Sequence, residues 1–332
     1  MPSTRRHLLL GLSGFGMAGA VLPRGARAQG QAANWPNRPV RMVVPFSAGG
    51  TTDLVARIIA EPLGTRLGQT FVVENRPGAG GNIGADVVAK ADPDGHTILM
   101  TTIGTAAINY SLYRNNMPYK PEDLAAVSNV AAVPNVVIAT PSLQVNTLPE
   151  MVALAKRRRD GLTIGSSGNG TSLHLCGVLL GEAAGIDLVH VPFRGSAPML
   201  VEVMAGRVEI AVDNLPSALP HIREGRLRAL AVTSEKRSAA LPDVPTTREA
   251  GFPTVDAVAW FGLQAPARTP APIIAKLSEA VQAVVKDPAV RARIEEQGAD
   301  PIGDTPEQFQ QFINREIARW GDVVRRANIQ LD

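Results

Sequence analysis

VRMVVPF (Val40–Phe46) runs straight into SAGGTTD (Ser47–Asp53), and the pattern returns where LTI (Leu162–Ile164) meets GSSGNGTS (Gly165–Ser172). In each case an apolar, strand-like run ends in a Gly/Ser/Thr-rich loop that opens a helix. Such a loop aims bare backbone N–H groups at one spot, at the positive end of a helix dipole. It can therefore hold an anion without lysine or arginine. Two such loops about a domain apart imply a cleft that closes on a small anion.

Strand and helix patterns alternate outward from the first loop. Val40–Phe46 is a continuous apolar run, as a parallel strand covered on both faces requires. A helix is expected over Asp53–Leu67, then a strand at Phe71–Val73, a helix at Ile83–Ala91 and a strand at Thr97–Met100. Around the second loop lie Leu162–Ile164 (strand), Ser172–Ala184 (helix), Leu188–Pro192 (strand) and Ala197–Ala205 (helix). Strands at Val208–Val212 and Leu227–Val232 follow, with a short helix near Ser217–Arg223 between them. The tail reads as helices at Ala271–Val285, Pro288–Gln297 and Pro306–Ala327, which cannot stand alone and must pack back on the first unit. The chain then crosses between units twice, at Val133–Thr140 and Asp256–Ala265, giving a two-strand hinge.

The first 28 residues read as an export signal. Arg5-Arg6 precede an apolar stretch, Leu8–Leu22, and Ala26-Arg27-Ala28 fits a small-x-small cleavage site, so the mature chain starts near Gln29. Thr4-Arg5-Arg6-His7-Leu8-Leu9 resembles a twin-arginine signal; an ordinary secretory signal is the alternative. Loss of four arginines takes the basic residues from 33 to 29 against 30 acidic ones, a net of about −1. The basic character belongs to the signal, and a nucleic-acid partner loses its support. A single Cys176 permits no internal disulfide.

Other chemistries fit poorly. His96, His174, His190 and His221 form no i,i+4 pair, so no metal site is expected. Gly165-Ser166-Ser167-Gly168-Asn169 fails the Gly-x-Ser-x-Gly elbow at its last position. Counted from Gly78, the run GAGGNI places Ile83 where a dinucleotide loop needs its third glycine, and no phosphate-loop lysine follows. No cofactor is therefore expected. Asp53 reads either as a first-turn acid that favours the dipole, or as a group that fixes the loop geometry or holds a water. His174 is either structural or a ligand contact. Arg194, in FRGSAP (Phe193–Pro198), suits a ligand carboxylate or a rim charge, and Asp213 suits a ligand amine, a bridging water or a helix cap. Lys156–Arg159 reads as a solvated helix end.

The stretches WPNRPVRMVVPFSAGGTTDLVAR, FVVENRPGAGGNIGADVVAKADPDGHTIL, GSSGNGTSLHL, HVPFRGSAPML, LRALAVTSEKR, LPDVPTTREAG and TPEQFQQFINREIARW span Trp35–Trp320. Together they resemble the extracytoplasmic solute receptors of the tripartite tricarboxylate transporter family, the Bug proteins. The resemblance implies an α/β, two-lobed type II periplasmic binding protein fold, each lobe a mainly parallel sheet flanked by helices. Lobe 1 would be 29–137 plus 260–332 and lobe 2 138–259. It implies a periplasmic monomer that captures a small carboxylate and delivers it to membrane permease subunits, without catalysis. A sensor feeding a signalling receptor, or an exported hydrolase using Ser167 and His174, are the alternatives. The implied contacts are Phe46, Ser47, Gly49, Gly50 and Asp53 in one first-lobe loop, and Thr102, Gly104 and Thr105 in another, Thr101–Ala106. From the second lobe come Ser166, Ser167, Gly168, Thr171, Ser172 and His174, then Arg194, Gly195, Ser196 and Asp213. Phe193-Arg194 stands where Tyr-Lys is frequent in the family, and His96 where Tyr is.

Overall fold

A computed structural model describes residues 34–326 and 329. The export signal and the start near Gln29 lie outside the described residues. The chain builds β1 (Val40–Val44), α1 (Thr51–Leu67), β2 (Phe71–Asn75), α2 (Asn82–Ala89) and β3 (Thr97–Thr102). A π-helical turn, Gly104–Ile108, then leads into α3 (Asn109–Leu112) and a long β4 (Leu124–Ala139). Next come α4 (Leu148–Ala155), β5 (Leu162–Ser166), α5 (Ser172–Ala184), β6 (Leu188–Pro192), α6 (Ser196–Met204) and β7 (Ile210–Asn214). The remainder is α7 (Leu215–Arg223), β8 (Arg228–Val232), β9 (Val258–Pro266), α8 (Ala271–Lys286), α9 (Pro288–Glu296), β10 (Asp300–Pro301) and α10 (Pro306–Arg326).

Among the described residues the strands form one path, β2-β1-β3-β9-β4-β7-β5-β6, with β8 and β10 both on β4. The two ends are parallel: β1 pairs with β2 and β3, and β5 with β6 and β7. The middle is antiparallel, because β4 and β9 run against their neighbours. Each lobe is thus a three-strand parallel unit finished by antiparallel strands.

β4 belongs to both lobes. Leu124–Pro134 pairs with β9, and Asn135–Ala139 pairs with β7. Pro134, which has no N–H to give, sits where the strand changes partners. The sequence pattern places this crossing at Val133–Thr140, but the strand starts at Leu124. Its alanine-rich first half lacks alternation because it is buried on both faces, with register shifts between Ala126/Ser128 and Asn129/Ala131.

The crossing is knotted by hydrogen bonds. Asn135 Nδ2 and Thr233 Oγ1 both donate to the Ala257 carbonyl, at 2.9 and 2.6 Å. Asn214 Nδ2 donates to Asn135 Oδ1 at 2.7 Å. The tail helices return to lobe 1 as expected. The indoles of Trp260 and Trp320 each donate to the buried Glu316 carboxylate at 3.1 Å, and Phe309 meets Trp260 edge-on at 5.6 Å. Phe309 fits because residue 262 is glycine, where a Cβ would lie 2.3 Å from its ring. α10 also packs on the Gly104–Ile108 turn, and so supports a wall of the cleft from behind.

Candidate ligand-binding cleft

α1 begins without a side-chain cap at Gly50, so its first-turn amides have no partner within the helix. The preceding loop is braced from inside lobe 1. The Asp53 carboxylate accepts from the Gly49 N–H, from Arg57 Nε and from Asn75 Nδ2, each at 3.0 Å. Burial pushes the acidity of Asp53 the other way, but the Arg57, Gly49 and Asn75 hydrogen bonds win and hold it below the usual carboxylate range. Asp53 therefore shapes the loop, and its oxygens are occupied within lobe 1.

The lobe 2 loop is braced by neutral groups. Thr171 caps α5 by accepting from the His174 N–H at 3.3 Å and donates to the Gly168 carbonyl at 2.7 Å. Ser166 Oγ lies 2.6 Å from His190 Nε2, and the His190 ring stacks on His174 with centroids 4.1 Å apart. The Gly170 N–H donates to His174 Nδ1 at 3.4 Å. Burial lowers both imidazoles to about 4, so they are neutral at pH 7, with His190 adding to the shift on His174. His190 was not foreseen as part of this site. The parallel pairing of β5 with β6 is what brings it beside Ser166.

Between the loops lies a small cavity of about 30 Å³. From lobe 1 it takes Phe46, Gly50, Thr51, Thr52, Thr102 and Gly104; from lobe 2, Ser167, Thr171, Ser172, Ser196 and Asn214. Phe261 of β9 adds an apolar wall, and among the described residues no lysine or arginine lines the cavity. The first turns of α1, α5 and α6 all end here. A helix N-terminus of this kind favours an anion placed at it by roughly 0.3–1 kcal/mol, and up to ~2 kcal/mol where partly buried.

The remaining expected contacts surround this cavity. Ser47 and Gly195 meet across the cleft: the Ser47 N–H donates to the Arg194 carbonyl at 3.2 Å, while Ser47 Oγ is buried without a partner. Gly49 lies against Ala197. Thr105 stands behind Thr102, its hydroxyl accepting from the Thr102 N–H at 2.9 Å. Gly168 and Arg194 line a wider groove of about 330 Å³ at the mouth, opposite Gly78–Gly81 and Tyr113. Ser166 and His174 face a separate pocket behind the lobe 2 loop, of about 230 Å³. Ser167 is in the cleft and His174 is not, so the pairing a hydrolase would need is not formed. Asp213 is fully buried beneath the cavity, accepting from Ser196 Oγ at 2.5 Å and Ser217 Oγ at 2.6 Å.

Thr51, Thr52, Ser217 and Tyr113 had not been singled out, whereas Asn214 ends the strand that carries Asp213, where a ligand contact is expected. Thr51 Oγ1 lies 3.0 Å from Ser217 Oγ and accepts from the Ser217 N–H at 3.2 Å, joining the lobes. Tyr113 OH donates to the Asn169 carbonyl at 3.3 Å at the mouth. Thr51 and Thr52 follow the glycine pair directly, so first-turn position was the available signal.

The model for the tripartite tricarboxylate transporter family receptor matches residues 55–329. Three solved structures are similar along nearly their whole length. The periplasmic binding protein BugD is 37% identical, with a TM-score of 0.86 over 89% of this chain and 99% of that one. A Rhodopseudomonas palustris protein with adipate is 40% identical, with a TM-score of 0.86 over 89% and 99%. MatC from Rhodopseudomonas palustris with bound malate is 36% identical, with a TM-score of 0.83 over 87% and 100%. The two-lobed periplasmic binding protein architecture is common to them and to this chain. The chain belongs to the receptor family of the tripartite tricarboxylate transporters, a family of substrate receptors and not of enzymes.

Proposed function

We propose that this chain is a monomeric periplasmic receptor that closes over one small carboxylate and hands it to tripartite tricarboxylate-type permease subunits. Residues 29–137 plus 260–332 act as one lobe and 138–259 as the other, with residues 1–28 removed on export. The observation that carries this is the meeting of three helix first turns, from both lobes, at one cavity without a cationic side chain. Contacts from both lobes give the ligand its preference for the closed state, and that preference is the driving force for closure. The 30 Å³ space is about two waters' worth, so a ligand of several carbons enters only when the lobes part.

Adipate and malate, held by two relatives, make dicarboxylates the first candidates. Arg194 at the mouth groove suits a distal carboxylate, with the proximal one at the helix termini. A thermal-shift panel of mono-, di- and tricarboxylates tests the proposal. A ligand at a hundred times its Kd adds about 2.7 kcal/mol and raises Tm. No shift with any of them would overturn carboxylate capture. Uptake that survives deletion of the permease genes would overturn the transport role alone.

A further inference from the structure

Asp213 controls which way the hydroxyls around the cleft point. A serine or threonine hydroxyl has one proton to donate and two lone pairs. Burial raises Asp213 to about 6 against its Ser196 and Ser217 hydrogen bonds, so at pH 7.5 it is an ionised carboxylate, which only accepts. Ser196 lines the cavity, and its single proton goes to Asp213 Oδ1 at 2.5 Å. Ser217 spends its proton on Asp213 Oδ2 at 2.6 Å, with the Asn214 carbonyl a second acceptor at 3.0 Å. Ser217 Oγ can therefore only accept from Thr51 Oγ1, 3.0 Å away, so the Thr51 proton also points away from the cavity. Thr51 Oγ1 already accepts from the Ser217 N–H, which leaves one lone pair.

The hinge fixes a third acceptor. Asn135 Nδ2 donates to the Ala257 carbonyl at 2.9 Å, which identifies its other atom as oxygen. That oxygen accepts from Asn214 Nδ2 at 2.7 Å. Asn214 lines the cavity, and its Oδ1 has no protein donor among the described residues. The wall made by Ser196, Thr51 and Asn214 thus presents side-chain lone pairs. Ser167 and Ser172, on the α5 side, have no such commitment of their protons.

The geometry points to Asp213 as a positioning residue that makes this wall an acceptor, so that the receptor selects a carboxylate bearing a hydroxyl or ammonium donor over its unsubstituted analogue. The inference rests on the carboxylate-receptor reading and names the substrate class for it. A ligand carboxylate belongs at the α1 and α5 termini. A 2-hydroxyl or 2-ammonium group would donate to Ser196 Oγ or Asn214 Oδ1, which otherwise face an apolar methylene unpaired. Asparagine at 213 breaks the pattern, because its amide can accept from only one serine and must donate to the other. The serine that receives the amide is free to turn its proton into the cleft.

Calorimetry at pH 7.5 with succinate and malate, glutarate and 2-hydroxyglutarate, and aspartate tests this. The wild-type protein should prefer the donor-bearing member of any pair it binds by about tenfold or more. In Asp213→Asn and in Ser196→Ala that ratio should fall to within about twofold, while Ser167→Ala weakens both members equally and keeps the ratio. A merely structural role for Asp213 would change both affinities together and leave the ratio intact. A wild-type protein that binds members of a pair equally, or an unchanged ratio in Asp213→Asn, overturns the inference and leaves the receptor reading standing. Binding of no probe, with no shift in the carboxylate panel, overturns both.

Discussion

The two anion loops share one outline, a strand end, glycines and an uncommitted helix turn, yet they are held by opposite chemistry. Ser47–Asp53 is tied by an ionised carboxylate with Arg57 and Asn75. Gly165–Ser172 is tied by hydroxyls and two stacked neutral imidazoles. The same backbone cradle can thus be braced by a charge or by groups that must remain uncharged. The difference lies in pH response and in what a mutation leaves behind.

The largest expected effect comes from wedging the Ser47–Asp53 loop away from lobe 2. A Cβ at Gly195 would lie 2.2 Å from Ser47 Oγ, at a φ of +147° that disfavours side chains. Gly195→Ala should keep the lobes apart, weaken ligand binding by at least ~100-fold and abolish the ligand-induced rise in Tm. Calorimetry and thermal melts would show it, and near-normal affinity would mean that the Ser47–Gly195 contact is not part of closure.

Removing one brace should separate the loops. Asp53→Ala leaves the Gly49 amide and Arg57 Nε without their acceptor and Asn75 Nδ2 with only the Phe46 carbonyl, at a cost of about 2–3 kcal/mol in urea unfolding. His190→Ala, which removes a neutral partner beside a pocket water can enter, should cost about 1–2 kcal/mol. Equal or reversed costs would dissolve the contrast.

Acid sharpens the same comparison. The imidazoles titrate near 4 when folded and near 6.5 when free, so the unfolded chain binds more protons below 6.5. Their contribution is complete above pH 6.5 and is lost as pH falls towards 4. Asp53 is held below 3.8, so its contribution is complete above that value and lost only beneath it. Hydrogen exchange between pH 7 and 4 should therefore loosen the Gly165–Ser172 amides first, while those of Ser47–Asp53 hold. Simultaneous loosening would show that the braces are not independent.

The smallest effect is expected at the mouth. Tyr113→Phe deletes one 3.3 Å hydrogen bond to the Asn169 carbonyl, at a half-buried site. Affinity should fall only ~2- to 5-fold by calorimetry, with stability unchanged.

Both loops, the parallel strands behind them and the return of the tail helices were legible, because each rests on local pattern: an apolar run, glycines, then 3.6-residue periodicity. The first half of β4 was not, since Leu124–Val133 alternates nothing when both faces are covered. Nor was the π-helical turn Gly104–Ile108, which came only through family resemblance to Thr101–Ala106. Loop hydroxyls could be named as contacts, but their orientation could not. That Asp213 braces Ser196, and that Thr51 reaches Ser217 of the other lobe, depends on packing between distant segments. His190 shows the limit well. Its place beside Ser166 follows from strand register, which no local motif encodes.

The position of β9 has a further consequence for biosynthesis. It lies between β3 and β4 in the sheet but comes after every strand of lobe 2 in the chain. A growing polypeptide therefore exposes β3 and β4 with open edges, templates for mispairing, until about residue 266 has emerged. Lobe 2 can mature early on the Asn135–Ala139 half of β4, whereas lobe 1 waits for nearly the whole chain. A nascent chain halted before Val258 would carry one finished lobe and one unfinished sheet, the form most in need of a chaperone.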